Sequence, residues 1–190
     1  DRNEEYLLYQ TLLGAWPSTP MDQPQYEEFK KRIEQYMIKA IREAKVHTGW
    51  INPREDYEEG VKRFVQAILD RSVSNPFLDE FLPFQAFVAR CGMNNSLAQL
   101  LVKITAPGIP DCYQGTELWE FSLVDPDNRR PVDFDHRAAI LQDCQNSDGQ
   151  DDVNRLALVR RLLESWEDGR IKLYLLQTGL RHRRQHAALY

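Results

Sequence analysis

The run Tyr26-Glu-Glu-Phe-Lys-Lys-Arg-Ile-Glu-Gln-Tyr-Met-Ile-Lys-Ala-Ile-Arg-Glu-Ala44 decides the fold class of this chain. Phe29, Ile33, Tyr36, Met37, Ala40, Ile41 and Ala44 recur at steps of three and four residues, the interval that gathers side chains on one face of an α-helix. An apolar stripe of that kind has to be buried against others like it, so a helical core is expected. On the N-terminal side, Tyr6, Leu7, Tyr9, Leu12, Leu13 and Trp16 give a short helix ending before Pro17, followed by a proline-rich linker over 18–24. On the C-terminal side, Asn52-Pro53 reads as a cap with proline in the first turn, opening a helix that buries Tyr57, Val61, Phe64, Val65, Ile68 and Leu69. Asn75-Pro76 repeats the signal before Phe77, Phe81, Phe84, Phe87 and Val88, with Pro83 set to kink or split that helix on its way to Gly92. Ser96 caps an apolar helix over 97–104, Asp151 or Asp152 caps one over 153–166 with Gly169 as its stop, and Ile171 to Gln185 forms the last. The expectation is a mainly α fold of about seven helices, with 109–113 as the one strand.

Composition bounds the function. A chain of 190 residues can bury about 70% of the surface its unfolded form exposes, enough for a sizeable core. Its 42% hydrophobic and 11% aromatic content argues against disorder. A net charge of -5 gives no field that would hold nucleic acid, and no apolar run approaches the roughly 18 residues of a membrane span. Cys91, Cys112 and Cys144 are an odd set without CxxC spacing, which indicates neither a disulfide framework nor a zinc site and fits a reducing cytoplasm. His182 and His186 share a helix face, but no Cys or acidic ligand accompanies them, and they read as a solvated helix end. No cofactor, metal, nucleic-acid or membrane partner is expected. Opening on Asp1 without a Met and closing at Tyr190 just past a basic amphipathic helix, the sequence reads as a piece of a longer chain.

The chemistry concentrates where helical periodicity stops. In Pro107-Gly-Ile-Pro-Asp-Cys-Tyr-Gln-Gly-Thr-Glu-Leu-Trp119, two prolines and two glycines fix the backbone, and Asp111, Tyr113, Gln114, Glu117 and Trp119 are carried on that frame. Asp125-Pro-Asp-Asn-Arg-Arg-Pro-Val-Asp133 follows, offering Asp125, Asp127, Asn128, Arg129 and Arg130. Carboxylates and amides accept from sugar hydroxyls, arginine forks donate, and an aromatic ring can stack on a pyranose face. The same Asp and Arg residues serve equally as a knot that pins a loop, and core packing competes for Tyr113 and Trp119; a sugar-facing role is expected for one of those two. Lys45, His47 and Trp50 project from a helix end, where they either shape a sugar-binding end or cap the helix. Arg130 and His136 stand where a calcium loop needs Gly and Glu.

Three segments together resemble the maltooligosyl trehalose synthase family of the α-amylase superfamily. They are Asp1-Arg-Asn-Glu-Glu-Tyr-Leu-Leu-Tyr-Gln-Thr-Leu-Leu-Gly-Ala-Trp-Pro17, Lys45-Val-His-Thr-Gly-Trp-Ile-Asn-Pro53, and the constrained stretch over 107–133. The resemblance runs through most of the chain and weakens around 142–152; Gly49 stands where the family usually has Ser. It implies that 1–105 form a helical sub-domain and that 106–190 form the end of a barrel-like catalytic domain, the two making one compact unit when isolated. Residues 109–113 would then correspond to the last strand of a (β/α)8 barrel, whose C-terminal end faces the active site. It implies an enzyme that remakes the terminal α-1,4 bond of a maltooligosaccharide as an α,α-1,1 bond. Such a reaction needs two carboxyls about 5–5.5 Å apart and a site closed to water. In the family those carboxylates precede the equivalent of Asp1, so this chain is expected to carry no catalytic residue and to be inactive alone. Its substrate-binding candidates are Lys45, His47, Trp50, Tyr113, Gln114, Glu117, Trp119, Asp125, Asp127, Asn128, Arg129 and Arg130. A barrel strand without neighbours is also expected to make the isolated chain self-associate through 106–113 or leave that segment disordered. The competing reading is a self-standing helical interaction module whose loop motifs are structural.

Overall fold

The computed structural model describes residues 1–147 and 152–190, and among these there are seven α-helices and no strand. The residues group into two compact units, 1–89 with 121–129 and 90–120 with 130–190. The boundary expected at 105/106 lies inside the second.

The first unit holds α1 (Arg2–Ala15), α2 (Gln23–Ala44), α3 (Glu55–Ile68) and residues 76–89 of α4 (Pro76–Thr105). The periodicity of α2 does what its spacing predicts: Phe29, Ile33 and Met37 are buried, against Leu8 and Leu12 of α1 and Val65 of α3 in one cluster. Trp16 is the hub. Its ring centroid lies 5.0 Å from that of Phe29, 5.3 Å from Phe81 and 6.1 Å from Tyr26. Each large side chain so buried contributes about 1.5–3 kcal/mol. Tyr26 also spends its hydroxyl usefully, donating to the Leu69 carbonyl at 2.8 Å.

Helix starts differ from expectation at two places. Asp22 and Gln25 form a reciprocal capping box, at 2.9 and 3.0 Å, so α2 begins at Gln23 and Pro24 sits in its first turn, where a missing N–H costs nothing. The linker therefore ends at Asp22. Asn52-Pro53 does not open α3, which starts at Glu55 because the Arg54 N–H is held by the Thr48 hydroxyl at 2.9 Å. Asn75 does cap α4, accepting from the Leu78 N–H at 3.3 Å.

The second unit holds residues 90–105 of α4, α5 (Phe134–Ser147), α6 (Asp152–Glu164) and α7 (Arg170–Gln185). Two expected helices are one: α4 runs unbroken through Pro83, Gly92 and Ser96. In their place α5 appears, which sequence reading passed over because among its described side chains only Ile140 and Cys144 are buried. The core joins Leu118, Ile140, Cys144, Leu158, Leu162, Ile171, Leu173 and Tyr174, with Leu100, Ile104 and Leu176 as a second cluster. Gly179 lets α7 lie against α4, since a Cβ there would sit 2.9 Å from Ile104 Cγ2.

The strand expected over 109–113 does not form; the segment has no regular structure and no ladder. A strand exists only by pairing, and none of the described residues pairs with it. Arg183 instead collects the chain after α4: its guanidinium donates to the Ile104 carbonyl at 2.7 Å, to the Ala106 carbonyl at 2.8 Å, and to the Gly108 carbonyl. The basic run at 181–184 thus has a local use, capping a helix C-terminus.

Gly169 has φ +75°, and a Cβ on it would come within 2.9 Å of the Trp119 backbone nitrogen. Gly169→Ala is expected to lower unfolding free energy by about 1–3 kcal/mol. Gly92→Ala, exposed in α4 with open space around it, should raise it by about 0.5–1 kcal/mol. Urea titration of the two variants checks the pair.

Candidate functional site

The sequence candidates fall into two groups, one in each unit. In the first unit, α2 ends at Lys45, an exposed residue with φ +59° that turns the chain out of the helix. The loop it opens is fastened from beneath. Glu58, buried in α3, accepts from Arg42 Nε at 2.8 Å, from Arg42 Nη2 at 2.6 Å and from the Thr48 hydroxyl at 2.7 Å. The Arg42 guanidinium first, and the Thr48 hydroxyl with it, hold the Glu58 carboxyl at about 2, outweighing the burial that opposes ionisation. Above this anchor, Arg42 lies 5.0 Å from the Trp50 ring, and Trp50 stays 57% exposed. His47 does not cap the helix: its Nε2 is 2.9 Å from Asp1 Oδ2 and its ring packs on Tyr57 at 4.8 Å. Tyr57 in turn donates to Glu4, and burial with that carboxylate pushes the phenol up to about 12. A cavity of about 390 Å³ opens beside them, lined by Asp1, Glu4, Tyr57, Met37, Val61 and Phe64 among others.

The same unit holds Asp125, Asp127, Asn128 and Arg129, on a loop with a 3-10 turn at Asp127–Arg129. Asp127 is pinned. Arg32 of α2 meets both its oxygens at 2.8 Å, and the Leu123 N–H donates to Oδ2 at 2.7 Å. Arg32 also donates to the Phe121 carbonyl at 2.8 Å. So the knot is real, but its arginine comes from α2, a partner that sequence reading missed. Its signal was a single charged residue beside Phe29 and Ile33 on the apolar side of α2. Asp125 and Arg129 pair with each other at the exposed surface, and Lys39 donates to the Asp125 carbonyl. The Asn128 Oδ1 is buried without a hydrogen-bond partner.

In the second unit, Gly115 has φ +92° and makes the turn after Tyr113 and Gln114, both of which stay exposed. Glu117 closes that turn: Oε2 accepts from the Gly115 N–H at 3.0 Å and from Arg137 Nε at 3.1 Å, while Arg137 Nη2 donates to the Gly115 carbonyl at 2.9 Å. Arg137, from the unforeseen α5, is a second organiser that sequence reading missed. Trp119 turns inward. Its Nε1 donates to the Trp166 carbonyl at 2.6 Å, and Lys172 lies 5.5 Å above its ring while donating to the Leu118 carbonyl at 3.1 Å. Burial lowers the Lys172 ammonium pKa, with the nearby positive charge of Lys103 adding to it. Of the two aromatics, Tyr113 is the one left exposed. Arg130 is exposed and already engaged within the chain.

No family model matches the chain. Over 139 residues it is 39% identical to a putative maltooligosyl trehalose synthase of Mycobacterium tuberculosis (strain ATCC 25618 / H37Rv), covering 73% of this chain and 17% of that protein. A crystal structure of maltooligosyl trehalose synthase superposes on 98% of this chain, with a TM-score of 0.81 at 39% identity, and a hypothetical maltooligosyl trehalose synthase of Sulfolobus tokodaii on 97%, with 0.76 at 34%. The chain belongs to the maltooligosyl trehalose synthase family. It spans 23% of the first of those structures and 22% of the second, so it corresponds to one segment of a maltooligosyl trehalose synthase.

Within that segment, Asp127 and Glu117 face protein partners, whereas Tyr113, Gln114, Asp125, Arg129 and Trp50 face outward. Two outcomes follow for the anchors. Asp127→Ala strips the buried Arg32 of its counter-charge and should cost about 3 kcal/mol, while Arg129→Ala, 75% exposed in its side chain, should cost about 1 kcal/mol or less. Thermal unfolding of both variants, with Arg32→Ala to close a double-mutant cycle, measures the difference. For Glu58, a folded pKa near 2 lies below the unfolded value of about 4.3, so its stabilisation is complete above pH 5 and lost as pH falls towards 2. Glu58→Gln should flatten that acid limb by about one proton in a stability–pH profile.

Proposed function

We propose that the intact protein carrying this segment isomerises the terminal α-1,4 glucosidic bond of maltooligosaccharides to an α,α-1,1 bond, giving maltooligosyl trehalose. In this reading the segment holds none of the reacting carboxylates and supplies constrained loops to the oligosaccharide. The observation that carries the second part is the state of the motif carboxylates. Glu117 is committed to Arg137 and the Gly115 N–H, and Asp127 to Arg32 and the Leu123 N–H. A retaining reaction needs two carboxyls presented to the sugar; with Glu117 and Asp127 committed and Asp125 paired to Arg129, the exposed Asp111 has no second carboxyl to act with.

What remains presentable suits sugar recognition. Tyr113 offers an exposed ring and hydroxyl, Gln114 an amide, and Asp125 with Arg129 an acceptor and a donor. Rigid loops matter here because the released glucose has to be kept and turned before water reacts. The reducing conditions of a cytoplasm suit the three unpaired cysteines.

Incubated with maltopentaose, the isolated chain should leave reducing ends unchanged, while the intact protein should remove them. In the intact protein Tyr113→Ala should raise KM several-fold with little change in melting temperature. A loss of reducing ends by the chain alone that Glu117→Gln abolishes would overturn the assignment and place the catalyst here.

A further inference from the structure

Spacing alone makes His182 and His186 two surface side chains at the end of α7. The structure adds a built arrangement. After α7 a short turn at Ala187–Leu189 folds the chain back and brings the Tyr190 hydroxyl to 3.2 Å from His182 Nδ1. The His186 Nδ1 lies 3.0 Å from the His182 carbonyl, which can only accept, so that ring carries its proton on Nδ1 and its lone pair on Nε2. The phenol oxygen accepts as readily as it donates, so His182 can adopt the same tautomer. The rings lie side by side, centroids 4.2 Å apart and planes 25° from parallel, and both residues are exposed. In each ring Nδ1 is engaged and Nε2 makes no bond within the chain. Oxygen partners on the far nitrogen are what orient imidazoles that bind metals.

Two of the three neighbouring arginines are engaged within the chain. Arg183 is turned away onto the carbonyls of Ile104, Ala106 and Gly108 and lies 4.4 Å from the Tyr190 ring. Arg181 meets the Gln177 amide oxygen at 2.7 Å when that amide is oriented to accept. His182 lies in the last turn of α7 and His186 at its C-cap, at the negative end of the helix dipole.

We propose that His182 and His186 chelate one divalent first-row transition-metal ion, Cu2+, Ni2+ or Zn2+, through their Nε2 atoms, with water completing the shell and Tyr190 orienting His182. Chelation brings both Nε2 atoms to the roughly 2.0–2.1 Å of a metal–imidazole bond, so the stacked rings turn towards a common ion on binding. A two-imidazole set without carboxylates selects these ions over Mg2+ and Ca2+.

The test is calorimetric titration of the untagged full chain with each metal salt at pH 7.5. One ion should bind per chain, Cu2+ most tightly, and Mg2+ and Ca2+ should give no heat. His182→Gln or His186→Gln should each weaken Cu2+ binding tenfold or more, and His136→Gln should leave it unchanged. Melting curves of each variant without metal confirm folding, and saturating Ni2+ should raise the melting temperature of the natural chain but not of the double variant. Wild-type affinity in either single variant, or a stoichiometry that drops in steps with each histidine at unchanged affinity, would overturn the chelate.

Discussion

The buried pair between Arg32 and Asp127 is the constraint on which the first unit's loop geometry rests. Ions are expensive to take out of water, and the cost is met only when every donor and acceptor is used. Here Arg32 gives Nε and Nη2 to the two carboxylate oxygens and Nη2 again to the Phe121 carbonyl, and the Leu123 N–H completes Asp127. A segment with no regular backbone ladder is thereby tied to the most strongly specified helix of the chain. The exposed pair of Asp125 with Arg129 rides on that attachment.

The second unit solves the same problem with the same chemistry. Arg137 grips Glu117 and the Gly115 carbonyl, and Gly115 itself holds φ +92°, a conformation that residues with a side chain rarely adopt. Arg183 does likewise for the chain leaving α4. In all three places an arginine fork replaces the sheet or helix bonds that the loop cannot make, because a planar guanidinium can satisfy several oxygens at fixed angles. The outward groups are then held without being consumed.

Much of the fold was legible. The stripes of α2 and α3 and the Asn75-Pro76 start signal follow from local rules, and each is found where those rules put it to within a turn. Two local readings failed. Local rules make Pro83 and Ser96 interruptions, yet α4 runs through both. Helix α5 went unread because a helix that buries so few side chains leaves little periodic trace.

The sequence by itself determined the helical class, the constrained loops and the family resemblance, because these depend on residue types at short separations. Only the tertiary structure decided which polar residue meets which. Arg32 stands ninety-five positions before Asp127, and Arg137 twenty after Glu117. No local pattern links such residues, since their pairing is set by which helix faces pack together. That packing settled whether each motif side chain became an anchor, as Asp127, Glu117 and Trp119 did, or stayed exposed, as Tyr113 and Trp50 did.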